Sequence, residues 1–273
     1  MKNNKIAFIG GYTPLSSSVF SFNLKHNSSS IFINLSNNKK IKRKNIFNFK
    51  IYELLKIINL LKDRDIKNIC FIGKLVRPNL SNFRIDRLLI KYISQIQGAY
   101  LKGDEYLLKQ VIHIFKNENF IIKSLINVAP SFFICKNYNS IICNNDIIDK
   151  SDIKKGVSLL NSISKYDNAQ AVVVSKGYIL GIEAVEGTDK LLKRVASEKK
   201  LLKLDKNEGV LIKIPKKNQS IYADLPTIGP QTIILASKAK LNGIAIKKNK
   251  TIFYNREKCI KLAKSFKLNL YLQ

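Results

Sequence analysis

Arginine, histidine and cysteine are scarce in this chain, and each shortage closes a route. Only seven of its 48 basic residues are Arg. Arg is the side chain suited to bidentate contacts with bases and phosphates. The formal net charge of +29 is therefore not read as a nucleic-acid footprint. The sequence holds no Arg/Lys tract interleaved with aromatics. The excess of Lys, Ile and Asn is what AT-rich coding produces, so no specific nucleic-acid partner is expected. A surface this positive is still drawn to anionic lipid head groups or nucleotides at low salt. The four cysteines, Cys70, Cys135, Cys143 and Cys259, form no C-x-x-C pair, and His26 and His113 lie near none of them. That spacing argues against zinc and for buried free thiols in a reducing cytoplasm. No apolar run reaches the roughly 18 residues of a spanning helix. The run at 6–9, behind Lys2 and Lys5, is too short for a signal peptide. A cytoplasmic protein is expected.

What is present reads as an ordinary globular chain. Its 273 residues are 45% hydrophobic and 25% charged, enough for one large domain or two modest ones. Strand-like runs at 5–9, 31–35, 68–72 and 120–125 alternate with helical spacing at 52–61, 84–94 and 105–115. Such alternation predicts a mostly parallel α/β layer. A zone rich in Asn and Asp at 136–150 reads as a connection. Beyond it the pattern predicts a helix over 152–165 and strands over 169–174 and 178–184, joined at Lys176-Gly177. A helix over 188–200, a strand over 210–214 and a helix over 230–239 follow. The runs at 243–246 and 251–253 read as a short hairpin. The expected domains are 1–134 and 135–273.

Three segments invite chemistry. Gly10-Gly11 follows the first strand, where nucleotide-binding folds place phosphate against a helix N-terminus. The G-x-G-x-x-G fingerprint is absent, and a plain strand-to-helix turn explains the pair as well. Glu183-Ala184-Val185-Glu186-Gly187-Thr188-Asp189 ends a strand and starts a helix. Gly187 permits close backbone approach, Thr188 is a good N-cap, and three carboxylates can recruit Mg²⁺. The alternative is a capped helix with solvated acids. The third segment runs from Lys213-Ile214-Pro215-Lys216-Lys217 to Asp224-Leu225-Pro226-Thr227-Ile228-Gly229-Pro230. It sets an isolated carboxylate between lysines and a Pro/Gly turn. Lysines attract an anion, and the carboxylate can hold a divalent metal, orient a water or merely cap a turn. Asp167, Gln170, Lys213 and Asp224 stand at or near strand ends. If those strands are neighbours, the four converge. Together the segments point to hydrolysis or transfer at a phosphate.

Nearly end to end, the chain resembles the UDP-2,3-diacylglucosamine pyrophosphatases of the LpxI type. The resemblance covers Ile9-Gly10-Gly11 with Pro14-Leu15, Phe71-Ile72-Gly73-Lys74, Arg77-Pro78, Arg84-Ile85-Asp86 and Gly103-Asp104-Glu105. It continues through Asp152-Ile153, Gly156 and Gln170-Ala171-Val172-Val173-Val174. Its most specific pieces are the 183–189 and 224–230 segments, in that order and spacing. The resemblance implies an α/β chain with an N-terminal Rossmann-like domain and a C-terminal α/β domain of unusual fold. It implies further that a cleft between them encloses the lipid nucleotide. It implies Mg²⁺-dependent hydrolysis of UDP-2,3-diacylglucosamine to UMP and 2,3-diacylglucosamine 1-phosphate (lipid X), a step of lipid A biosynthesis. The family's essential aspartate falls on Asp224. For substrate, Gly10, Gly11, Gln170, Glu186, Gly187, Thr188, Asp189, Lys213, Thr227 and Gly229 are put forward, and for metal Asp224 and Asp189. The family commonly has Asp and Arg around Ser220 and Tyr222, and Gly at Ala169. Lys216 and Lys217 are candidates to replace the missing Arg. Peripheral contact with the cytoplasmic face of the inner membrane and a homodimer are left open.

Two rival classes fit the sequence less well. A different nucleotide or nucleotide-sugar enzyme, such as an NAD oxidoreductase, lacks its G-x-G-x-x-G. Scarce Arg and the absence of an aromatic platform count against a basic, non-enzymatic nucleic-acid-binding protein.

Overall fold

Short apolar runs buried on both faces form the sheets of this protein, as seen in a computed structural model describing residues 5–35, 41–73, 87–133, 147–166, 169–203, 207–217, 219–222 and 225–273. The chain divides into two units. The first is Met1–Pro130 with Ser220–Asp224, and the second is Ser131–Gln219 with Leu225–Gln273.

In the first unit, strands β1 (Ile6–Gly10), β2 (Ile31–Asn34), β3 (Ile46–Asn48), β4 (Asn68–Phe71) and β5 (Ile121–Ile122) form one sheet in the order β3-β2-β1-β4-β5. All its pairings are parallel. Such a sheet needs cover on both faces. On one face Phe8 and Phe32 meet Phe20 of α1 (Pro14–His26) edge-on, with ring centroids 5.8 and 5.6 Å away. On the other, Ala7, Ile9, Ile33, Ile69 and Phe71 pack with α2 (Leu54–Asp63), α3 (Arg87–Lys102) and α4 (Asp104–Asn117). α2 supplies Leu54, Ile57, Ile58 and Leu61, the i, i+3, i+4, i+7 stripe of an amphipathic helix. The winding reverses between β1 and β4, which is where open α/β sheets place their ligand crevice. Tyr222 packs on this unit's core, with the Lys116 ammonium 5.4 Å from its ring centre.

The second unit carries β6 (Ala171–Ser175), β7 (Tyr178–Ile182), β8 (Val210–Lys213), β10 (Gly243–Ile246) and β12 (Asn269–Leu272) in the order β12-β10-β8-β6-β7. β8, β10 and β12 are parallel, whereas β6 runs antiparallel to both β7 and β8. Two short strands, β9 (Thr227–Ile228) and β11 (Ile252–Phe253), pair parallel beside it. α6 (Ile147–Ile163) packs on β6 and β8 with Ile153 and Leu160. α7 (Thr188–Leu201), α8 (Pro230–Lys238) and α9 (Arg256–Ser265) contribute to a second core cluster with Leu191, Leu192, Val195, Ile233 and Cys259. The β6–β7 turn is fixed from outside. Asp152, 1% exposed, accepts both turn N–H groups, from Lys176 at 2.8 Å and Gly177 at 2.7 Å.

Several sequence expectations are corrected. The runs at 243–246 and 251–253 are not a hairpin, because β10 lies between β8 and β12 while β11 pairs with β9. Four consecutive buried residues in β10 mark a central parallel strand, which the lysines after it disguised. The expected strand over 120–125 is a two-residue strand followed by a helical turn, α5 (Leu125–Val128). α3 runs eight residues past the expected end at 94. β3, α9 and β12 had not been singled out. Among the described residues no helix is long and apolar enough to cross a membrane.

Candidate active site

Topology alone gathers one polar cluster at an edge of the mixed sheet. Register places Ala171, the first residue of β6, opposite Lys213, the last of β8. It places Ile182, the last of β7, opposite Val172. Gln170, Glu183 and Lys213 therefore share that edge. α7 leads into β8 and α8 into β10, so each helix runs back along its strand. Both helix N-termini, at Thr188 and Pro230, consequently point to the same edge.

Hydrogen bonds tie these residues together. The Lys213 ammonium donates to the Thr188 hydroxyl at 2.7 Å, and that hydroxyl donates to Glu183 Oε1 at 2.6 Å. The Gln170 backbone N–H donates to Glu183 Oε2 at 3.1 Å. Lys213 is 9% exposed and Thr188 7%, so the pair sits inside the protein rather than on a solvated face. Glu183 is half-buried, and its backbone N–H continues the sheet to the Ala171 carbonyl at 2.9 Å.

Thr188 is not the N-cap that its place in the sequence suggests. Gly187 is, with φ of 79°, and Thr188 is the first helical residue. Its hydroxyl is thereby released for Glu183 and Lys213. The three carboxylates of 183–189 do not gather into one group. Glu183 is engaged as described. Glu186 takes Arg194 at 3.0 Å and the Ala184 N–H at 3.1 Å. Its own backbone N–H, then Arg194, hold its carboxyl below the usual range. Asp189 is exposed in the first turn of α7. Among the described residues no group of three or more His, Cys, Asp or Glu is placed to hold a metal ion.

Thr227 and Gly229 lie on either side of Ile228, and Gly229 caps α8. Pro226 and Ile228 accept from the N–H groups of Ile252 and Tyr254 at 2.8 Å each, which anchors the run 225–230. Asp224 and Asp167 lie outside the described residues. Tyr222, where the resemblance leads one to expect Arg, faces apolar side chains of the first unit instead. The backbone N–H groups of Lys216 and Lys217 are taken by the Gln219 side chain and by Ser164.

Gly10 and Gly11 belong to the first unit, at the end of β1. The close approach they allow is made by the protein itself. A Cβ on Gly10 would stand 2.0 Å from the Ile72 carbonyl oxygen, and one on Gly73 would stand 2.0 Å from the Gly11 oxygen. The loops leaving β1 and β4 are thus pressed backbone to backbone. The N-terminus of α1 is closed by a reciprocal Thr13–Ser16 capping box.

Sequence reasoning treated Glu183 only as one acid among three. Its central place was legible only from the pairing of β6 with β7 and β8. A carboxylate at a strand end five residues before a helix-starting Thr was the one local signal.

The class is an α/β protein of two units, one doubly wound and parallel, the other mixed with a polar cluster at one edge. Residues 5–132 match the LpxI N-terminal domain and residues 142–271 the LpxI C-terminal domain. The UDP-2,3-diacylglucosamine pyrophosphatase LpxI of Caulobacter vibrioides is 32% identical over 215 residues, covering 78% of this chain and 76% of that protein. The chain belongs to the LpxI family. A crystal structure of a short-chain dehydrogenase family protein from Francisella tularensis subsp. tularensis SCHU S4 is 14% identical. It covers 59% of this chain and 65%, just under two thirds, of that one, with a TM-score of 0.27. A likeness that slight carries no weight.

Proposed function

We infer that this chain hydrolyses the pyrophosphate of UDP-2,3-diacylglucosamine to UMP and 2,3-diacylglucosamine 1-phosphate, a step of lipid A biosynthesis. Membership of the LpxI family carries the reading, through the Caulobacter relative whose name states that activity. The chemistry of the mixed-sheet edge supports it. A pyrophosphate needs fixed positive charge and oriented donors. Lys213 and the N-termini of α7 and α8 supply both at one edge. Gln170, Glu186, Gly187, Thr188, Asp189, Thr227 and Gly229 surround that anion in this reading. Asp224 is the catalytic carboxylate, orienting the attacking water.

Magnesium is part of the proposal, with Asp224 and Asp189 put forward to hold it. The described residues alone do not make a metal shell, so no step is derived through one. When bound, the ion would neutralise charge on the pyrophosphate oxygens. The setting proposed is the cytoplasm, with peripheral contact at the inner membrane where acyl chains reside.

The test is UMP release from UDP-2,3-diacylglucosamine, with and without EDTA, for the wild type and Asp224→Ala. The wild type should turn over, EDTA should stop it, and Asp224→Ala should bind substrate without turnover. Two buried acyl chains, at about 0.8 kcal/mol per methylene, keep the affinity. Losing a transition-state contact lowers the rate alone. A folded wild type inactive with Mg²⁺ present would sink the reading. Near-normal turnover by a stable Asp224→Ala variant would remove Asp224 from it.

A further inference from the structure

The chain Gln170–Glu183–Thr188–Lys213 has a direction that its chemistry fixes. An ammonium only donates, an ionised carboxylate only accepts, and a hydroxyl has one proton. Thr188 Oγ1 lies 2.6 Å from Glu183 Oε1 and 2.7 Å from Lys213 Nζ. Its proton must go to Glu183, and a lone pair must face Lys213. The carboxylate is in turn locked to the start of β6 by the Gln170 N–H. Three neighbouring strand ends thus aim one ammonium through one hydroxyl.

Another buried lysine of the second unit binds backbone. Lys199, 3% exposed, donates to the carbonyls of Glu208 at 3.0 Å and Lys240 at 2.7 Å, tying loop backbone together. Lys213 also donates to the Thr188 hydroxyl, which passes its own proton to the Glu183 carboxylate. Its ammonium lies at the N-terminal turn of α7, and register sets Lys213 beside the start of β6, next to the end of β7.

We propose that Glu183 is a positioning residue for the hydrolysis, aiming the Lys213 ammonium at the pyrophosphate through the Thr188 hydroxyl. The proposal rests on the reading under Proposed function. Thr188→Val keeps the shape and removes both hydrogen bonds, Thr188→Ser keeps them, and Glu183→Gln removes the charge.

The measurement is kcat and KM for UMP release from UDP-2,3-diacylglucosamine by the full chain, beside each variant's melting temperature. Thr188→Val should lose about 10- to 100-fold in kcat with KM within about threefold, the range of a removed orienting donor. Thr188→Ser should stay within about threefold of wild type. Glu183→Gln should lose about tenfold and serves as the second variant if Thr188→Val does not fold. A structural role alone would lower melting temperature without this split and without rescue by Ser. Full-rate Thr188→Val or full-rate Glu183→Gln, with an active wild type, overturns the proposal alone. An inactive wild type overturns the functional reading, and the proposal falls with it.

Discussion

The two sheets end in the same kind of place and fill it differently. At the C-terminal ends of β1 and β4, backbone meets backbone, and no side chain fits between Gly10, Gly11, Ile72 and Gly73. Beside them the carboxamide of Asn34, at the end of β2, receives the Tyr12 N–H at 3.3 Å and reaches Asn48 at 2.8 Å, a neutral ladder across the strand ends. At the matching edge of the mixed sheet the space holds a buried ammonium, a hydroxyl and a carboxylate. Strand ends provide a location in both units. What the location can do depends on whether side chains or main chain occupy it. The mixed sheet gains its charged residues because β6 runs antiparallel. That reversal brings the start of one strand beside the ends of two others.

The sharpest way to break this comparison is Gly73→Ala. Gly73 has φ of +94°, and its added Cβ would overlap the Gly11 carbonyl. Strain and a backbone clash together should cost more than about 4 kcal/mol, the range reserved for such mechanisms. Urea unfolding monitored by hydrogen exchange in β1 and β4 would show it. A loss under about 1 kcal/mol would mean that the two loops are not closed against each other.

Asp152 is the corresponding support in the mixed sheet. Asp152→Ala would leave the Lys176 and Gly177 N–H groups without their carboxylate at the turn on which β7 depends. A loss of about 2–3 kcal/mol is expected from charge-assisted bonds removed on one side only. Equal stability of variant and wild type in urea would show that the turn holds itself.

The first unit was largely legible in the sequence because its strands are separated by helices of clear 3.6-residue period, as in α2 with Leu54, Ile57, Ile58 and Leu61. β3 was not, since three residues carry no periodicity. In the second unit the β6–β7 hairpin was legible through Lys176-Gly177. Pairing β10 with β8 rather than with its neighbour β11 was a tertiary decision that local pattern does not encode. The candidate site divides the same way. Gln170 and Lys213 were suspected at strand ends, and register brings them to one edge. Thr188 reads as the N-cap from sequence, whereas Gly187, one residue earlier, caps the helix and Thr188 is its first residue.

A pH-dependent effect compares buried thiols. Burial pushes Cys70 of β4 up from 9.0 to about 12. Cys259 of α9 is also raised to about 12 by burial, with Lys258 acting against the rise. The unfolded thiol ionises first, so the stabilising contribution is whole below pH 9 and is lost as pH climbs toward 12. For Cys70 the slope is about 1.4 kcal/mol per pH unit within that window. Cys70→Ala should flatten the fall in urea stability between those limits by that amount. Cys259→Ala should flatten it less, because Lys258 favours the thiolate. An unchanged slope in Cys70→Ala would mean that the thiol is open to water.

The smallest expected change in stability separates structure from function at the two ends of β7. Gly177 and Gly187 both have φ of +79°, and neither would meet any atom within 4 Å if a Cβ were added. Alanine at either position therefore carries only backbone strain, about 1 kcal/mol. Melting temperatures of Gly177→Ala and Gly187→Ala should fall alike. Their activities should not. Gly177 sits in the turn held by Asp152, at the far end of β7 from the polar cluster. Gly187 caps α7 and sets the angle at which Thr188 enters the helix. A small rotation there moves the hydroxyl that Lys213 uses, and misplacement on the order of 1 Å costs about 100-fold in rate. UMP release from UDP-2,3-diacylglucosamine should drop at least tenfold in Gly187→Ala and stay near wild type in Gly177→Ala. Equal activity in the two variants would detach the Gly187 end of the sheet from the chemistry, whatever their common loss of stability.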